Sequence, residues 1–221
     1  MNIYLESVNV DEIRNAAAAG LANGVAFSHV AFSADTPGGT EKERLEEIAR
    51  EFALPICVPV AAVTSTDIYT EARELAKVSD HIIVQIPLVE DSLIPIAKLT
   101  AEGVVICATF VFNGAQAVLA SKAGASVVRV TLDVLESFGH SGAQALADIK
   151  NVLDAGGEEC DVMAASPRNA LQFSECATAG ADIVTLKPEA LHALIVHPLS
   201  DRSVDRILSD LAKRPKARTT S

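Results

Sequence analysis

Short apolar runs alternate with longer amphipathic segments along almost the whole chain. The runs are rich in β-branched residues, as expected of parallel strands that are buried on both faces. The segments between them carry apolar residues at a period near 3.6, which predicts helices. The predicted strands cover residues 3–5, 25–28, 56–60, 82–86, 104–108, 127–130, 161–164 and 183–186. Eight strand–helix units in succession predict an α/β fold, a closed (β/α)8 TIM barrel.

The chain continues beyond the eighth unit. Apolar residues at Val204, Ile207, Leu208 and Leu211 predict an additional amphipathic C-terminal helix over about residues 200–213, which a barrel does not require. Residues 214–221 form a basic tail that we expect to be solvated. Because α/β barrels of this length are commonly single domains, residues 1–221 are predicted to form one domain.

Composition excludes several classes of partner. With 49% hydrophobic residues the chain can build a large core, but its formal net charge of -11 argues against sequence-independent binding to nucleic acid. The N-terminus lacks a charged leader followed by an apolar stretch, and no apolar run approaches the roughly 20 residues that span a bilayer. We therefore expect a cytoplasmic protein that binds neither nucleic acid nor membranes.

Cysteine and histidine spacing gives no sign of a metal or redox site. The four cysteines are scattered without a C-x-x-C pair, so we interpret them as reduced core residues. The five histidines show no metal-ligand spacing. The sequence therefore predicts neither a metal nor a cofactor.

One glutamine interrupts an apolar strand. Gln85 lies near the C-terminal end of the fourth predicted strand, among isoleucine and valine. Barrel active sites lie at the C-terminal ends of the strands, so inward residues at those ends are the candidates for chemistry. If Gln85 points inward, the corresponding positions on the other strands are Glu6, Ser28, Thr109, Arg129, Thr131, Ser166 and Lys187.

Residues 80–88, together with Ala101-Glu102-Gly103-Val104, resemble the fourth strand and following helix of the small transaldolases and fructose-6-phosphate aldolases. The resemblance extends over nearly the whole chain. In that family the position of Gln85 holds the lysine that forms a Schiff base, which a glutamine cannot form. The resemblance implies a small anionic, phosphorylated sugar-like carbonyl substrate. It also implies a ring-shaped homo-oligomer in which the C-terminal helix packs on a neighbouring subunit.

Two further positions depart from the family pattern. Glu6 stands where the family has an aspartate that acts in proton transfer, and its extra methylene displaces the carboxylate. The structural alternative for Glu6 is a charge pair with Arg129. Ser28 stands in place of an asparagine that binds substrate hydroxyls, and a serine reaches less far.

Other family elements are preserved only in part. Pro59 and Thr131 replace a glutamine and an aromatic hydroxyl that position the catalytic water, whereas Thr109 matches the third member of that water site. Ser166 and Arg168 match the phosphate-binding segment at the start of the seventh helix, where backbone N–H groups favour an anion. An anion held there would also meet Arg129. The structural alternative for Ser166 is a helix cap, and the one for Arg168 is a surface charge.

Lys187 and Arg129 are unlike the family norm, and both are predicted to face the barrel mouth. In a partly dry pocket beside a fixed cation, a lysine would present a free amine near pH 7. This suggests a hypothesis in which Lys187 replaces the missing Schiff-base lysine, Glu6 and Thr109 transfer protons, and Gln85 only hydrogen-bonds the substrate. The alternative is a rim lysine that pairs with Glu6 or with an anionic ligand.

Three functions therefore remain open at the level of sequence. The first is an aldolase or transaldolase that acts through Lys187. The second is a catalytically silent homologue that serves as a binding or assembly protein, because several family residues are lost together. The third is imine-free enolisation or isomerisation with Glu6 as the base.

Overall fold

The predicted barrel is confirmed. A computed structural model of the protein describes residues 1–28 and 41–213, and its strands close into a barrel in chain order. The strand pairs are parallel throughout. The strands are β1 Asn2–Leu5, β2 Gly24–Ala26, β3 Ile56–Pro59, β4 Ile82–Pro87, β5 Val105–Thr109, β6 Val127–Thr131, β7 Asp161–Ala165 and β8 Ile183–Leu186.

Helices follow the strands around the outside. They are α1 Val10–Ala18, α2 Glu41–Glu51, α3 Ser65–Ala76, α4 Leu93–Ala101, α5 Gly114–Lys122, α6 Leu132–Ser137, α7 Gly142–Gly156, α8 Ala170–Thr178, α9 Pro188–Ile195 and α10 Pro198–Ala212. A short 3-10 turn, Glu90–Ser92, precedes α4. The additional C-terminal helix is present as α10, while the basic tail predicted for residues 214–221 lies outside the described residues.

Side chains just ahead of several helices explain where those helices begin. Asn9, Thr64, Asn113, Ser141 and Asn169 each accept a hydrogen bond from a backbone N–H in the first turn. Such caps satisfy donors that have no partner inside the helix. The caps ahead of α5, α7 and α8 therefore fix the loops at the mouth of the barrel, where the candidate residues lie.

The lower part of the barrel interior is filled by apolar side chains. One buried residue from each strand contributes to this apolar layer: Tyr4, Ala26, Cys57, Ile83, Cys107, Val127, Met163 and Ile183. The Tyr4 ring packs directly over Gly24, where a Cβ atom would lie 2.6 Å from the ring. The layer fills the lower interior with packed side chains, so the C-terminal ends of the strands are where the interior can present other groups.

Within residues 1–28 and 41–213, no helix combines the length and the apolar character that crossing a membrane requires. That residues 1–221 form one domain, and that the protein is cytoplasmic, stay predictions.

Candidate functional site

A second layer lies above the apolar layer, two residues further along the chain at each of the eight strands, and we call it the polar layer because six of its eight residues are polar. Because side chains alternate between the two faces of a strand, these residues point into the barrel as well. They are Glu6, Ser28, Pro59, Gln85, Thr109, Arg129, Ala165 and Thr185. The inward orientation predicted for Gln85 is confirmed by its hydrogen bonds to residues on other strands and loops of the barrel.

Gln85 is fixed at both ends of its amide. Its Nε2 donates to the backbone carbonyl of Phe27 at 2.8 Å, and its Oε1 accepts from Nη1 of Arg129 at 2.6 Å. A guanidinium group only donates and a carbonyl oxygen only accepts, so these partners assign the amide orientation. The side chain is 1% exposed. Gln85 is therefore an anchored part of the barrel interior.

Arg129 joins Gln85 to Glu6. Its Nη2 donates to Oε1 of Glu6 at 2.8 Å, in an ion pair whose side chains are 12% and 6% exposed. A pair so deeply buried has lost most of its hydration, so each charge depends on the other. The structural alternative considered for Glu6, a charge pair with Arg129, is what the structure shows.

Thr185 and Ser166 complete the surroundings of Glu6. The Thr185 hydroxyl donates to Glu6 Oε1 at 2.6 Å, and the Ser166 hydroxyl lies 2.8 Å from both carboxylate oxygens. The Ser166 N–H in turn donates to Oγ1 of Thr185 at 3.1 Å. Glu6 thus accepts hydrogen bonds from three side chains, on β6, at the end of β7 and on β8.

The charge of Arg129 also reaches the apolar layer. Burial raises the pKa of the Cys57 thiol to about 12, and the nearby guanidinium of Arg129 acts in the opposite direction. Burial raises the pKa of Cys107 as well, and Arg129 again opposes the shift. The Nε–H of Arg129 is buried and meets no acceptor among the described residues. The guanidinium is therefore held by its two outer nitrogens, over an apolar floor.

Lys187 departs from its predicted environment. It follows the end of β8 as the N-terminal cap of α9, and its side chain is exposed. The partly dry pocket expected around its amine is absent, so that expectation was wrong. Alternation along β8 places Thr185 in the polar layer, one inward position before Lys187. Thr185 was missed from the sequence because only the inward residues at the very ends of the strands were considered. Thr185 lies two residues after the inward-facing Ile183 on the same strand, and this spacing could have identified it.

Ser166 reaches the interior for a different reason than predicted. By alternation the inward residue of β7 is Ala165, but Ser166 has a left-handed backbone with φ 56°. This turn directs its hydroxyl back to Glu6. Arg168 is exposed, and its Nη2 lies 3.9 Å from Glu136 in a loose surface ion pair. Ser166 and Arg129 therefore contact Glu6, while Arg168 lies outside this cluster.

The remaining candidates line the mouth of the barrel. Thr109 is buried at the end of β5 and precedes Phe110, which has a left-handed φ of 58°. Ser28 and Thr131 are half-buried. Their roles toward a substrate stay predictions. In the described ranges, no group of three or more His, Cys, Asp and Glu residues is placed to hold a metal ion.

Comparison with known proteins gives a consistent result. Residues 43–219 match the transaldolase/fructose-6-phosphate aldolase family. A probable transaldolase of Caulobacter sp. is 34% identical over 212 residues, covering 96% of this chain and 97% of that protein. A probable transaldolase of Thermodesulfovibrio yellowstonii is 33% identical over 216 residues, covering 98% and 100%. The similarity thus spans essentially both chains.

Among solved structures, the chain is similar to a cube-shaped, highly porous protein cage designed by fusing symmetric oligomeric domains. The TM-score is 0.62 at 14% identity, with 95% of this chain and 76% of that chain covered. At this identity the likeness supports the fold alone.

Proposed function

The chain belongs to the transaldolase/fructose-6-phosphate aldolase family, and we propose that its barrel binds a small anionic, sugar-like carbonyl compound without forming a Schiff base. The observation that carries this proposal is the anchored amide of Gln85. A Schiff base requires a primary amine, and an amide nitrogen is delocalised and does not add to a ketone. In residues 1–28 and 41–213 no lysine is buried, so the described interior offers no amine to replace the missing lysine.

The anionic end of the ligand would bind at the rim. Loops after the seventh and eighth strands of barrels commonly bind phosphate. Here Arg168 follows β7 and Lys187 follows β8, and both side chains are exposed. Asn169 caps the Gln172 N–H in the first turn of α8, and the positive end of the helix dipole still favours an anion beside it. Arg168 and Lys187 are therefore proposed as the phosphate-binding cations, which gives Lys187 the rim role considered above.

The neutral end of the ligand would face the polar layer. Thr109, Ser28 and Thr131 carry hydroxyl groups at the mouth, and hydroxyls can donate to or accept from a sugar. These residues are proposed to orient the ligand.

This proposal predicts a protection pattern. Fructose 6-phosphate and inorganic phosphate should raise the melting temperature of the wild type, because a ligand that binds only the folded state stabilises it by mass action. Arg168→Ala and Lys187→Ala should each reduce the shift. Lys98→Ala, which changes an exposed lysine on the outer helix α4, should leave it unchanged. Equal shifts in all four proteins would place the anion elsewhere.

A second candidate function is favoured by one feature of Glu6. Its Oε1 accepts from Arg129, Ser166 and Thr185, whereas its Oε2 accepts only from Ser166 among the described contacts. Oε2 therefore keeps capacity for a proton, which suits a base in imine-free enolisation. Deuterium uptake from D2O at the carbon next to the carbonyl, followed by NMR, would identify this activity if Glu6→Gln abolishes it. If the wild type catalyses no deuterium uptake, the catalytically silent homologue is favoured instead.

We also propose that α10 packs on a neighbouring copy of the chain, as the family resemblance implies. Leu199, Val204, Ile207, Leu208 and Leu211 are each more than half exposed, and the helix buries none of its residues within the chain. An uncovered apolar stripe of this length favours association.

Substitutions on α10 test the assembly. Ile207→Glu should lower the mass measured by size-exclusion chromatography with light scattering, because it places a charge in the apolar stripe. Ser209→Glu, on the opposite face of the helix, should not. A wild-type protein that is monomeric at micromolar concentration would contradict the proposal.

A further inference from the structure

The barrel interior contains a built binding site for a carboxylate, and the protein's own Glu6 fills it. Its donors are Nη2 of Arg129, Oγ of Ser166 and Oγ1 of Thr185, at 2.6 to 2.8 Å from the carboxylate oxygens. We call these three residues the carboxylate site. A cation with two hydroxyl donors is the chemistry that would otherwise bind the anionic group of a ligand.

The donors are oriented toward Glu6. Thr185 Oγ1 accepts from the Ser166 N–H, so its own proton is directed to Glu6 Oε1. The left-handed backbone of Ser166, which is uncommon for residues other than glycine, aims its hydroxyl at the same carboxylate. The second outer nitrogen of Arg129 is held by Gln85. The site is thus preorganised, and both outer nitrogens of Arg129 already have acceptors within the chain.

We propose that Glu6 is a specificity-determining residue, a fixed internal anion that closes the barrel interior to anionic groups. A ligand then enters with an uncharged hydroxyl or carbonyl end and keeps its single anionic group at the rim. This inference rests on the proposed function and narrows its ligand class by assigning to Glu6 the exclusion of compounds that carry a second anionic group at the end that enters the barrel.

The exclusion follows from charge and desolvation. A second anion would enter a largely dry interior in which the positive charge of Arg129 is already neutralised by Glu6. The second anion would lose its hydration without finding an unpaired cation to replace it, and it would be repelled by the carboxylate of Glu6. A hydroxyl or carbonyl loses much less hydration and can use the half-buried hydroxyls at the mouth.

Two probes that differ at one carbon test the inference. D-Glucitol 6-phosphate and 6-phospho-D-gluconate are open-chain compounds that differ only in a CH2OH or a carboxylate at C1. The wild type should bind the glucitol phosphate about tenfold more tightly or better, a difference that like-charge exclusion readily provides. Glu6→Gln should abolish or reverse this preference, because Arg129 then lacks its anion. Equal affinities in the wild type, or a preference that Glu6→Gln leaves unchanged, would overturn the inference.

A second measurement does not depend on sugar phosphate binding. Glu6→Ala removes the internal anion and leaves a space the size of acetate beside Arg129, so acetate should raise the melting temperature of this variant but not of the wild type. In the double variant Glu6→Ala/Arg129→Met the effect should disappear. If Glu6→Ala folds poorly, the yield of refolding with acetate against chloride gives the same readout. Absence of any acetate effect would show that no carboxylate site exists, whereas failure of both sugar phosphates with intact acetate rescue would refute only the proposed function.

Discussion

Replacing Gln85 with lysine is expected to destabilise the barrel and to restore little aldolase activity. The new ammonium group would lie beside the guanidinium of Arg129, at the place where the Gln85 Oε1 now accepts at 2.6 Å. Arg129 would lose an acceptor and gain a like charge, so we expect the free energy of unfolding to fall by roughly 2–4 kcal/mol. Denaturant unfolding monitored by circular dichroism measures this loss.

Two further variants isolate the cause. Gln85→Met removes both hydrogen bonds without adding charge and should be less destabilising than Gln85→Lys. In Gln85→Lys/Arg129→Met the ammonium can replace the guanidinium as the partner of Glu6, so stability should recover in part. If Gln85→Lys is as stable as the wild type, or if the double variant is less stable than Gln85→Lys, Arg129 is not the obstacle.

Activity should remain low in Gln85→Lys for a second reason. The family resemblance implies that Glu6, Pro59 and Thr131 stand in place of the residues used for proton transfer and for the catalytic water. Loss of general acid–base help typically costs about 10²–10⁴-fold in rate. Robust cleavage of fructose 6-phosphate by this single variant would show that the remaining groups are competent.

Removing Arg129 alone is expected to be the most damaging single change in the site. Arg129→Met would leave Glu6 buried without a cation, and breaking a buried ion pair in this way typically costs about 3–5 kcal/mol. Thermal and denaturant unfolding should both report this loss. Arg73→Met, which removes a more exposed pair with Glu102, is the matched control and should have a much smaller effect.

The double variant Glu6→Gln/Arg129→Met tests the coupling. Because it removes both charges, it should be more stable than Arg129→Met alone. The double-mutant cycle should then give a large interaction energy between the two positions. Additive losses would mean that Glu6 and Arg129 do not depend on each other.

The barrel could be predicted from sequence because its strands are short apolar runs bounded by helix ends, which the chain repeats eight times. The position of Gln85 followed from the same pattern. Of the hydrogen-bond network, the charge pair between Glu6 and Arg129 was among the alternatives that the sequence suggested. The other contacts could not be predicted, since they depend on how far each side chain reaches across the barrel. Arg129 spans from β6 to both Gln85 and Glu6, and alternation alone gives no such distance.

The errors at β7 and β8 have specific physical causes. Alternation predicts which face of the sheet a residue lies on, but not how far along the barrel axis it lies. Lys187 is at an inward-facing position and is nevertheless exposed, whereas Thr185, one inward position earlier, is fully buried. At Ser166 alternation ends, because a left-handed residue turns the chain. A serine in that conformation has no clear sequence signal. Alternation therefore gave the inward orientation of Gln85 correctly but not the hydrogen bonds of the residues around it, and the role of these residues toward a ligand stays a prediction.

Borohydride reduction shows directly whether any lysine of this protein forms a Schiff base. The wild type is incubated with fructose 6-phosphate or dihydroxyacetone, reduced, and digested for peptide mass mapping of its lysines. We expect no stoichiometric adduct, because position 85 is an amide and Lys187 is exposed to solvent. Any trace labelling should be spread equally over Lys187 and the outer lysines Lys98 and Lys122. A stoichiometric adduct at Lys187 alone would contradict the account and show that Schiff-base chemistry has moved to the eighth strand.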